Sequence, residues 1–485
     1  MTADFVVHDA VVVTVDERNR VYESGTVVVR DGDIATVRES RAGDAQIEAD
    51  HVLDGAGRLV LPGLVNAHAH LEGTALTGAF SEMGPVELFA QMTPLIADMA
   101  SEHDDLLRAG YELAALTHLQ GGVTTVNTMD VRPALGADIL GEAGLRAVMG
   151  PMLSDLFWDR SVDAQFEQAR SFVEQFDGSY DGRISAALCP HDDWSCTRDL
   201  WERVADLAAE YPEVPVHTHL LELGESDEMA RANGSDDSLA LLDAVGLLDD
   251  RLVGAHFRVA DERDIERMSG ADAGVAHCPS IFGYYNLDPE TPWTPVADLR
   301  EAGVAVGLGL DDHYWHDSVD LFEEARSARL LANLDAGAQQ YDSMALVRML
   351  TAESADAVGI ESVGRLVPGA RGDLAVLDVD QAKFTPLTNV AAQLANGARR
   401  SDVETVVVDG EMVVEDGVVQ TMDAAAVRER ATAAVERFEA ATEWDLGLGT
   451  PEPPSLRDVL ADAPKRGPAK LLGRIGAQKL RDVFR

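Results

Sequence analysis

Lysine is almost missing from this chain, whereas acidic residues are abundant. Lysine occurs only four times among 485 residues, and every other basic residue is arginine. The formal net charge is −46, from 85 acidic and 39 basic side chains. A field of this sign repels a polyanion, which argues against a nucleic-acid partner. Few lysines beside many carboxylates suit a salt-rich cytoplasm, where ions screen self-repulsion, and we therefore expect a halophilic protein.

Cysteine is scarce as well, and long apolar runs are missing. Cys189, Cys196 and Cys278 are scattered and form no Cys-x-x-Cys pair, which excludes a disulfide framework and favours a reducing compartment. No stretch of 18 apolar residues occurs, and the first residues lack the basic start and apolar core of a signal peptide. We expect a cytoplasmic protein without a membrane span, and its 46% hydrophobic content is enough for a large core.

The first 60 residues have the pattern of a small antiparallel sheet. Short alternating runs are separated by Asp-Gly turns, as in β-hairpins. The predicted strands are Phe5–Val15, Gly25–Arg30, Ile34–Arg38 and Gly57–Val60.

From Pro62 to about residue 360, short apolar runs alternate with longer helical patterns. This alternation is typical of βα units and a parallel sheet. Eight such units over about 300 residues predict a TIM barrel, whose active site gathers at the carboxyl ends of the strands. The predicted barrel strands are Leu64–His70, Val123–Met129, Leu145–Leu153, Ile184–Pro190, Val214–Leu221, Leu252–Val259, Ala273–Cys278 and Val304–Leu310.

Strand patterns return after the barrel, at Asp373–Asp378 and Val406–Val414. We therefore expect both chain ends to form one discontinuous β-sandwich domain beside the barrel. The predicted limits are 1–60 and 361–423 for the β-sandwich, 61–360 for the barrel, and 424–485 for a helical extension. That extension comprises a helix at Ala424–Ala441, a Gly/Pro-rich linker at 447–454 and a basic tail from Pro464. A tail helix docked on the acidic body is favoured over one that binds a membrane surface or a partner.

Histidines and carboxylates recur where the predicted barrel strands end. His68 and His70 close the first strand, and positions i and i+2 of a strand face the same side. His219 ends the fifth strand, with a carboxylate, Glu222, three residues later. The sixth strand carries His256, and Asp311 follows the eighth. Each alone could be a structural residue, but the carboxyl ends of barrel strands meet at one rim, so together they predict one site.

Three histidines and one carboxylate are typical of catalytic rather than structural metal ligation, because closed structural zinc sites prefer four thiolate or imidazole ligands. A divalent ion there would lower the pKa of bound water toward neutrality. Asp311 could accept a proton from that water, and Glu222 could deliver one to a leaving nitrogen. The pattern therefore predicts hydrolysis.

Several segments resemble the amidohydrolase superfamily, in particular its cytosine-deaminase-like branch with the chlorohydrolases and the methylthioadenosine/adenosylhomocysteine deaminases. The resemblance extends over roughly residues 5 to 420, and its motif order is highly specific. The segments that carry it are Leu61–His70 (LPGLVNAHAH), His219–Glu222, Ala276–Pro279, Gly307–Asp311, Thr351–Gly359, Gly369–Leu374 and Val408–Gly410.

The resemblance implies roles for individual residues. The ligands of one Zn²⁺ or Fe²⁺ would be His68, His70, His219 and Asp311. It places His256 beside the metal-bound water, Glu222 at the proton shuttle and His191 among the substrate contacts. His217 and His277 stay open between packing and support of the ligands.

Two features narrow the subtype. Two-metal relatives bridge their ions with a carbamylated barrel lysine, but no lysine precedes Lys383, so a mononuclear site follows. The loops after Ser280 and Asp312 differ from the family pattern. Because both loops should border the pocket, the substrate of the relatives cannot be assigned to this chain. Phe282, Tyr314 and Trp315 could stack on a flat heterocycle, or could pack locally.

We therefore expect a mononuclear metal-dependent hydrolase of a carbon–nitrogen bond other than a peptide bond. The favoured reaction is deamination of a small cyclic amidine such as a purine, pyrimidine or triazine. Release of chloride or an alkylamine, or opening of a linear amide, would use the same residues. A non-catalytic scaffold is less favoured, because every ligand position is filled. The sequence leaves the oligomeric state open, a homo-oligomer included.

Overall fold

The computed structural model describes most of the chain between residues 2 and 446. The described ranges are 2–79, 103–157, 160–285, 293–314, 319–336, 340–360, 362–442 and 444–446, with residues 92, 95, 96 and 98–101 between them. Within these ranges, every helix is too short or too polar to cross a membrane. The predicted linker at 447–454 and basic tail lie outside the described residues.

Both chain ends contribute strands to one nine-stranded sheet with the order β18–β17–β16–β15–β5–β1–β2–β3, in which β4 also pairs with β1. Strands β5 and β15 join the two ends, with Val60 opposite Val376 in an antiparallel pair. The strands are β1 Ala3–Val13, β2 Val21–Arg30, β3 Asp33–Glu39, β4 Ala49–Asp54, β5 Arg58–Pro62, β15 Leu374–Asp378, β16 Val403–Val408, β17 Glu411–Glu415 and β18 Val418–Val419.

The middle of the chain forms the barrel. Two parallel sheets, β10–β8–β7–β6 with β9 on β8 and β11–β12–β13–β14, contain its strands. Parallel bridges close the ring between Leu188 and Val216 and between Ala69 and Asp311. The strands are β6 Leu64–Ala69, β7 Val123–Asp130, β8 Arg146–Leu153, β9 Ile184–Ala186, β10 Cys189–Pro190, β11 Val216–Leu220, β12 Leu252–His256, β13 Gly274–His277 and β14 Val306–Leu308.

Helices surround the barrel, and each buries one side against the barrel strands. The strands themselves are almost wholly buried, as expected for a sheet that helices cover on its outer face. The helices in the described part of the chain are Asp104–Gln120, Pro133–Ala143, Val162–Phe176, Ser179–Gly182, Arg198–Glu210, Ser226–Ala232, Ser238–Val245, Glu262–Gly270, Pro279–Tyr285, Val296–Glu301, Leu321–Ala336, Ser343–Met349, Ala352–Ala357, Val390–Gly397 and Ala424–Ala441.

A buried arginine ties the barrel to the sheet of the chain ends. Arg146, in β8, contacts Asp373 at 3.2 Å and Asp409 at 2.6 Å, and its side chain is 6% exposed. Arg183 also reaches Asp409, at 3.0 Å. Because breaking a buried pair leaves an uncompensated charge, these contacts fix how the two parts pack.

The helix Ala424–Ala441 has the predicted limits and packs on the helix Asp104–Gln120. Phe438 is fully buried, and Arg430 and Arg437 form ion pairs with Glu112 and Asp105 at 2.9 and 2.6 Å. This part of the C-terminal extension is therefore an integral layer on the barrel.

The predicted TIM barrel and the sheet built from both chain ends are confirmed. The sheet differs from the prediction in one respect, since β1 pairs in parallel with β4 and β5 and the first 60 residues are not purely antiparallel. The fourth barrel strand is also divided, into β9 and β10. The exact domain limits given above stay a prediction.

Candidate active site

Four side chains that bind metals well meet at the carboxyl ends of the barrel strands. His68 lies in β6 and His70 directly after it, His219 lies in β11, and Asp311 follows β14. One ligand atom from each lies within 4.8 Å of the others. Nε2 of His70 is 3.2 Å from Nε2 of His219, and Oδ1 of Asp311 is 3.4 Å from Nε2 of His68. The barrel thus brings together the four residues that the sequence grouped.

The opposite nitrogen of each imidazole is held in place. Nδ1 of His70 lies 2.7 Å from the Met129 carbonyl and Nδ1 of His219 lies 2.5 Å from the His191 carbonyl, so both rings donate from Nδ1. Nδ1 of His68 instead contacts Nε2 of His217 at 2.8 Å. These partners leave the three Nε2 lone pairs facing one point, as in histidine metal centres.

The imidazoles are in the form that binds a cation. Burial lowers the pKa of His68 and of His70 to about 3, and it also lowers the pKa of His219 well below its usual value. Neutral imidazole is the metal-binding form of histidine. Nε2 of His68 is buried and accepts no hydrogen bond from the described residues. A buried nitrogen without a hydrogen-bond partner is expected where that nitrogen binds a metal ion. The donor set therefore fits one divalent metal.

Local backbone strain positions two of these residues. His256 ends β12 with φ 76° and Asp311 has φ 62°, a region that residues with side chains rarely adopt. The turn at Asp311 puts its carboxylate over His68, and Nε2 of His256 lies 3.7 Å from Oδ2 of the same carboxylate. At Gly309, a Cβ would come within 2.9 Å of both the His68 Cβ and Cys278 Sγ, so glycine allows this close approach.

Glu222 lies beside the ligands, buried, on the loop after β11. Burial, together with the charges of Asp311 and Asp192, raises the pKa of Glu222 to about 8. The carboxyl group therefore holds a proton at neutral pH, as a general acid must. The loop is fixed by Asp193, whose carboxylate accepts the Leu221 N–H at 2.9 Å.

One cavity joins these groups. Its lining contains both predicted catalytic acids together with several apolar side chains, which suits a flat ligand with a few polar atoms. The lining residues are His70, Glu72, His191, His219, Glu222, His256, Asp311 and Asp312 on the polar side, and Met92, Ile96, Met152, Trp194 and Tyr314 on the apolar side.

His191, predicted as a substrate contact, lies in this lining. Its Nδ1 pairs with the Asp192 carboxylate, and its ring centroid is 4.7 Å from that of His219. The ring is also stacked obliquely on Phe157 at 4.4 Å. These contacts fix the imidazole at the edge of the cavity.

Of the two predicted aromatic contacts Phe282 and Trp315, the structure describes Phe282. Phe282 is absent from the cavity lining among the described residues, and its ring lies 5.0 Å from His256 and 3.9 Å below the Arg258 guanidinium. Trp315 lies outside the described residues. Tyr314, from the same loop, does line the cavity. His277 is buried but belongs to none of the ligand clusters among the described residues.

Sequence reasoning missed Glu72, which lines the cavity, and its buried acidic neighbour Asp130. The Glu72 carboxylate accepts the backbone N–H groups of Val131 and Arg132 at 2.9 and 3.3 Å. Asp130 accepts from Leu71 N–H at 2.8 Å. Burial, with the charge of Asp130, raises the pKa of Glu72 to about 8. The glutamate two residues after His70 in HAHLE was the available signal.

The chain is similar to known proteins over most of its length. The model of the Amidohydrolase family matches residues 59–413. The 5-methylthioadenosine/S-adenosylhomocysteine deaminase of Pelotomaculum thermopropionicum is 30% identical over 84% of this chain and 93% of its own length. The enzyme of that name from Halobacterium salinarum is 34% identical over 81% and 88%.

A solved structure has the same fold. The zinc-bound adenosine deaminase of Xanthomonas campestris superposes with a TM-score of 0.83 and 27% identity, over 90% of this chain and 99% of that one. The likeness therefore includes the barrel and the sheet of both chain ends.

Proposed function

Because this chain belongs to the amidohydrolase family and is a hydrolase of carbon–nitrogen bonds other than peptide bonds, we propose that it deaminates an adenosine-type purine nucleoside. The relatives named above are deaminases of adenosine derivatives, and the purine amidine is a cyclic amidine of the predicted kind. The observation that carries the proposal is the cluster of three imidazoles and Asp311, which opens to the cavity that Glu222 also lines.

We propose one Zn²⁺ as the cofactor, held by Nε2 of His68, His70 and His219 and by Asp311. Three imidazole nitrogens and one carboxylate oxygen suit Zn²⁺. The same ligand set can also bind Fe²⁺. When bound, the metal would lower the pKa of a coordinated water toward neutrality. The fixed Nδ1 contacts of the three rings preorganise the site for such an ion.

The remaining chemistry belongs to side chains. Asp311 accepts a proton at the carboxylate edge that faces His256, whose Nε2 lies 3.7 Å away. The His256 ring stacks on the His219 ring, with 5.1 Å between the ring centroids, which places it beside the proposed ligands. From there His256 orients the attacking oxygen by a hydrogen bond. Glu222 donates its one proton to the ring nitrogen, and the proton that Asp311 has accepted passes to the leaving amine, which departs as ammonia. Asp311, His256 and Glu222 all act at the edge of the purine that carries the amino group.

The cavity walls favour a flat substrate. Met152 and Trp194 line one apolar side, and His191 lies where its imidazole can hydrogen-bond a ring nitrogen. Glu72, with its raised pKa, provides a further polar contact in the lining of the cavity. We propose that the purine lies between these walls with its amino group toward Glu222.

A substrate panel tests the function. Zinc-loaded protein in molar KCl should release ammonia from adenosine, 5′-deoxyadenosine, methylthioadenosine or S-adenosylhomocysteine, and the Glu222→Gln variant should not. Guanine, cytosine and a chlorinated triazine are the comparison substrates. Faster turnover of the triazine, with chloride release, would replace the proposal by the chlorohydrolase reaction. Loss of ammonia release from every nucleoside would refute it.

A further inference from the structure

We propose that His256, Cys278 and the second carboxylate oxygen of Asp311 form an additional, weaker site for a thiophilic divalent cation such as Zn²⁺ or Cd²⁺, and that its occupation inhibits the enzyme. The inhibitory part rests on the proposed function, because it assumes that His256 is needed for turnover. The binding part depends only on the geometry of the three side chains.

The two oxygens of Asp311 face different groups. Oδ1 lies 3.4 Å from Nε2 of His68 and 3.5 Å from Nε2 of His70, within the first ligand cluster. Oδ2 points instead to Nε2 of His256, at 3.7 Å. A carboxylate can bind one cation with each oxygen, as in enzymes with two neighbouring metal ions. Asp311 is therefore placed to bridge two ions.

Cys278 completes a second cluster with His256 and the same carboxylate. One ligand atom each from His256, Cys278 and Asp311 lies within 4.8 Å of the others. All three residues are buried, at 1%, 1% and 6% exposure. The thiol follows β13, so the cluster combines the ends of the sixth, seventh and eighth barrel strands.

The polar atoms of this cluster have few partners of their own. Among the described residues, Cys278 Sγ makes only a long contact with the Ala276 carbonyl, at 4.0 Å. A cation bound by this sulfur would give the buried thiol a closer partner, whereas Nδ1 of His256, which is buried without a hydrogen-bond partner among the described residues, would stay unbound.

The ligand types select the cation. Thiolate and imidazole favour Zn²⁺ and Cd²⁺, whereas Mg²⁺ and Ca²⁺ prefer oxygen ligands only. Burial, followed by the charge of Asp311, raises the pKa of the Cys278 thiol. The negative charge of the Asp311 carboxylate favours a cation electrostatically. Binding replaces the thiol proton, so one proton is released to solvent for each ion bound.

Occupation of this site would stop catalysis for a direct reason. Nε2 of His256 would be bound to the second ion and could no longer hold the attacking oxygen. The Oδ2 atom of Asp311 would be bound as well, and could not accept a proton. Excess zinc should therefore inhibit at concentrations above those that fill the first site.

The experiment uses full-length protein that contains one metal per chain. Cd²⁺ is titrated in, and its thiolate charge-transfer band is recorded in the ultraviolet without substrate. We expect a band that saturates at one further ion per chain, and zinc inhibition over the same range. Cys278→Ser and Cys278→Ala should both lose the band and need at least about tenfold more Zn²⁺ for inhibition, while keeping their activity at one metal per chain.

Cys189 and Cys196 provide the matched controls. Both thiols are buried elsewhere in the fold, and Cys196 Sγ contacts the Leu153 carbonyl at 3.5 Å. Cys189→Ser and Cys196→Ser should retain both the band and the zinc inhibition. A wild-type protein without the band, or Cys278 variants with unchanged band and inhibition, would overturn the proposal. A Cd²⁺ band that depends on Cys278 in a protein inactive on every nucleoside would support this site while refuting the proposed function.

Discussion

Nδ1 of His68 lies 2.8 Å from Nε2 of His217, and both imidazoles are fully buried. His217 precedes His219 by two residues in β11, so both face the same side of the strand and His217 lies deeper in the barrel. The histidine pair fixes which nitrogen of His68 is free for the metal. His217 is therefore a positioning residue for a proposed ligand.

His217→Ala should weaken metal binding about 10- to 100-fold, the usual effect of removing a residue that orients a ligand. His217→Gln should recover part of the affinity, since its amide oxygen can accept the His68 Nδ1–H. Metal affinity is measured by competition with a chelator, with His68→Ala as the reference for a lost ligand.

His277→Ala is the control for this test, because His277 is also buried in a barrel strand but is outside the ligand clusters of the described chain. It should keep wild-type metal affinity. Equal affinities for the wild type and His217→Ala would mean that His217 only fills space.

The barrel could be predicted because its signals are local. Runs of buried β-branched residues mark the strands, and the carboxyl ends of parallel strands must meet. His68, His219 and Asp311 are far apart in sequence, yet their common position at strand ends was enough to group them. Strand β4 was missed because Ala49–Asp54 is mostly exposed and has no apolar alternation.

The parts that could not be predicted depend on contacts between distant loops. Glu72 faces the cavity because backbone N–H groups of Val131 and Arg132, after a different strand, bind its carboxylate. Phe282 packs under Arg258 rather than lining the cavity. Neither contact leaves a periodic pattern in the sequence, so only the folded chain reveals it.

Asp193 should give the protein a characteristic pH dependence of stability. Burial raises the pKa of Asp193 to about 7, well above its usual value near 4. The folded chain then binds more protons than the unfolded chain, so the contribution of this group is full at low pH and is lost as the pH rises to 7. From pH 5 to pH 8, the wild type should lose about 2 kcal/mol more unfolding free energy than Asp193→Asn.

Denaturant unfolding at fixed high salt measures this difference. The large acidic surplus affects both proteins equally, so it cancels in the comparison. Asp243→Asn, at an exposed aspartate on the helix Ser238–Val245, should follow the wild type at both pH values. Identical slopes for all three proteins would mean that Asp193 ionises normally in the folded chain.

The charge of −46 predicts that stability falls when salt is removed. The Debye length grows from about 3 Å at 1 M to about 30 Å at 0.01 M salt, so the exposed carboxylates repel over longer distances. The thermal unfolding midpoint should therefore rise steeply up to about 0.5 M KCl and then level off. A midpoint that rises linearly to several molar would indicate salt exclusion rather than screening, and an unchanged midpoint would contradict the halophilic prediction.

Glu222→Gln should keep the metal but lose turnover. Glu222 follows His219 by three residues, lines the cavity and is outside the cluster of four ligand atoms. Glutamine retains the size and hydrogen bonding of the side chain but has no proton to transfer. Since a general acid typically contributes about 10²- to 10⁴-fold in rate, kcat should fall by that order with KM nearly unchanged.

The matched control for this variant is Asp312→Asn, at another acid that lines the cavity. Its metal content and kcat should both stay within about threefold of the wild type, because the proposed reaction needs no proton from it. Steady-state rates and metal analysis are compared for the three proteins at one pH. If Glu222→Gln turns over at the wild-type rate and Asp312→Asn does not, Asp312 is the proton donor and Glu222 is a structural acid, with the raised pKa of Glu222 reflecting only its burial.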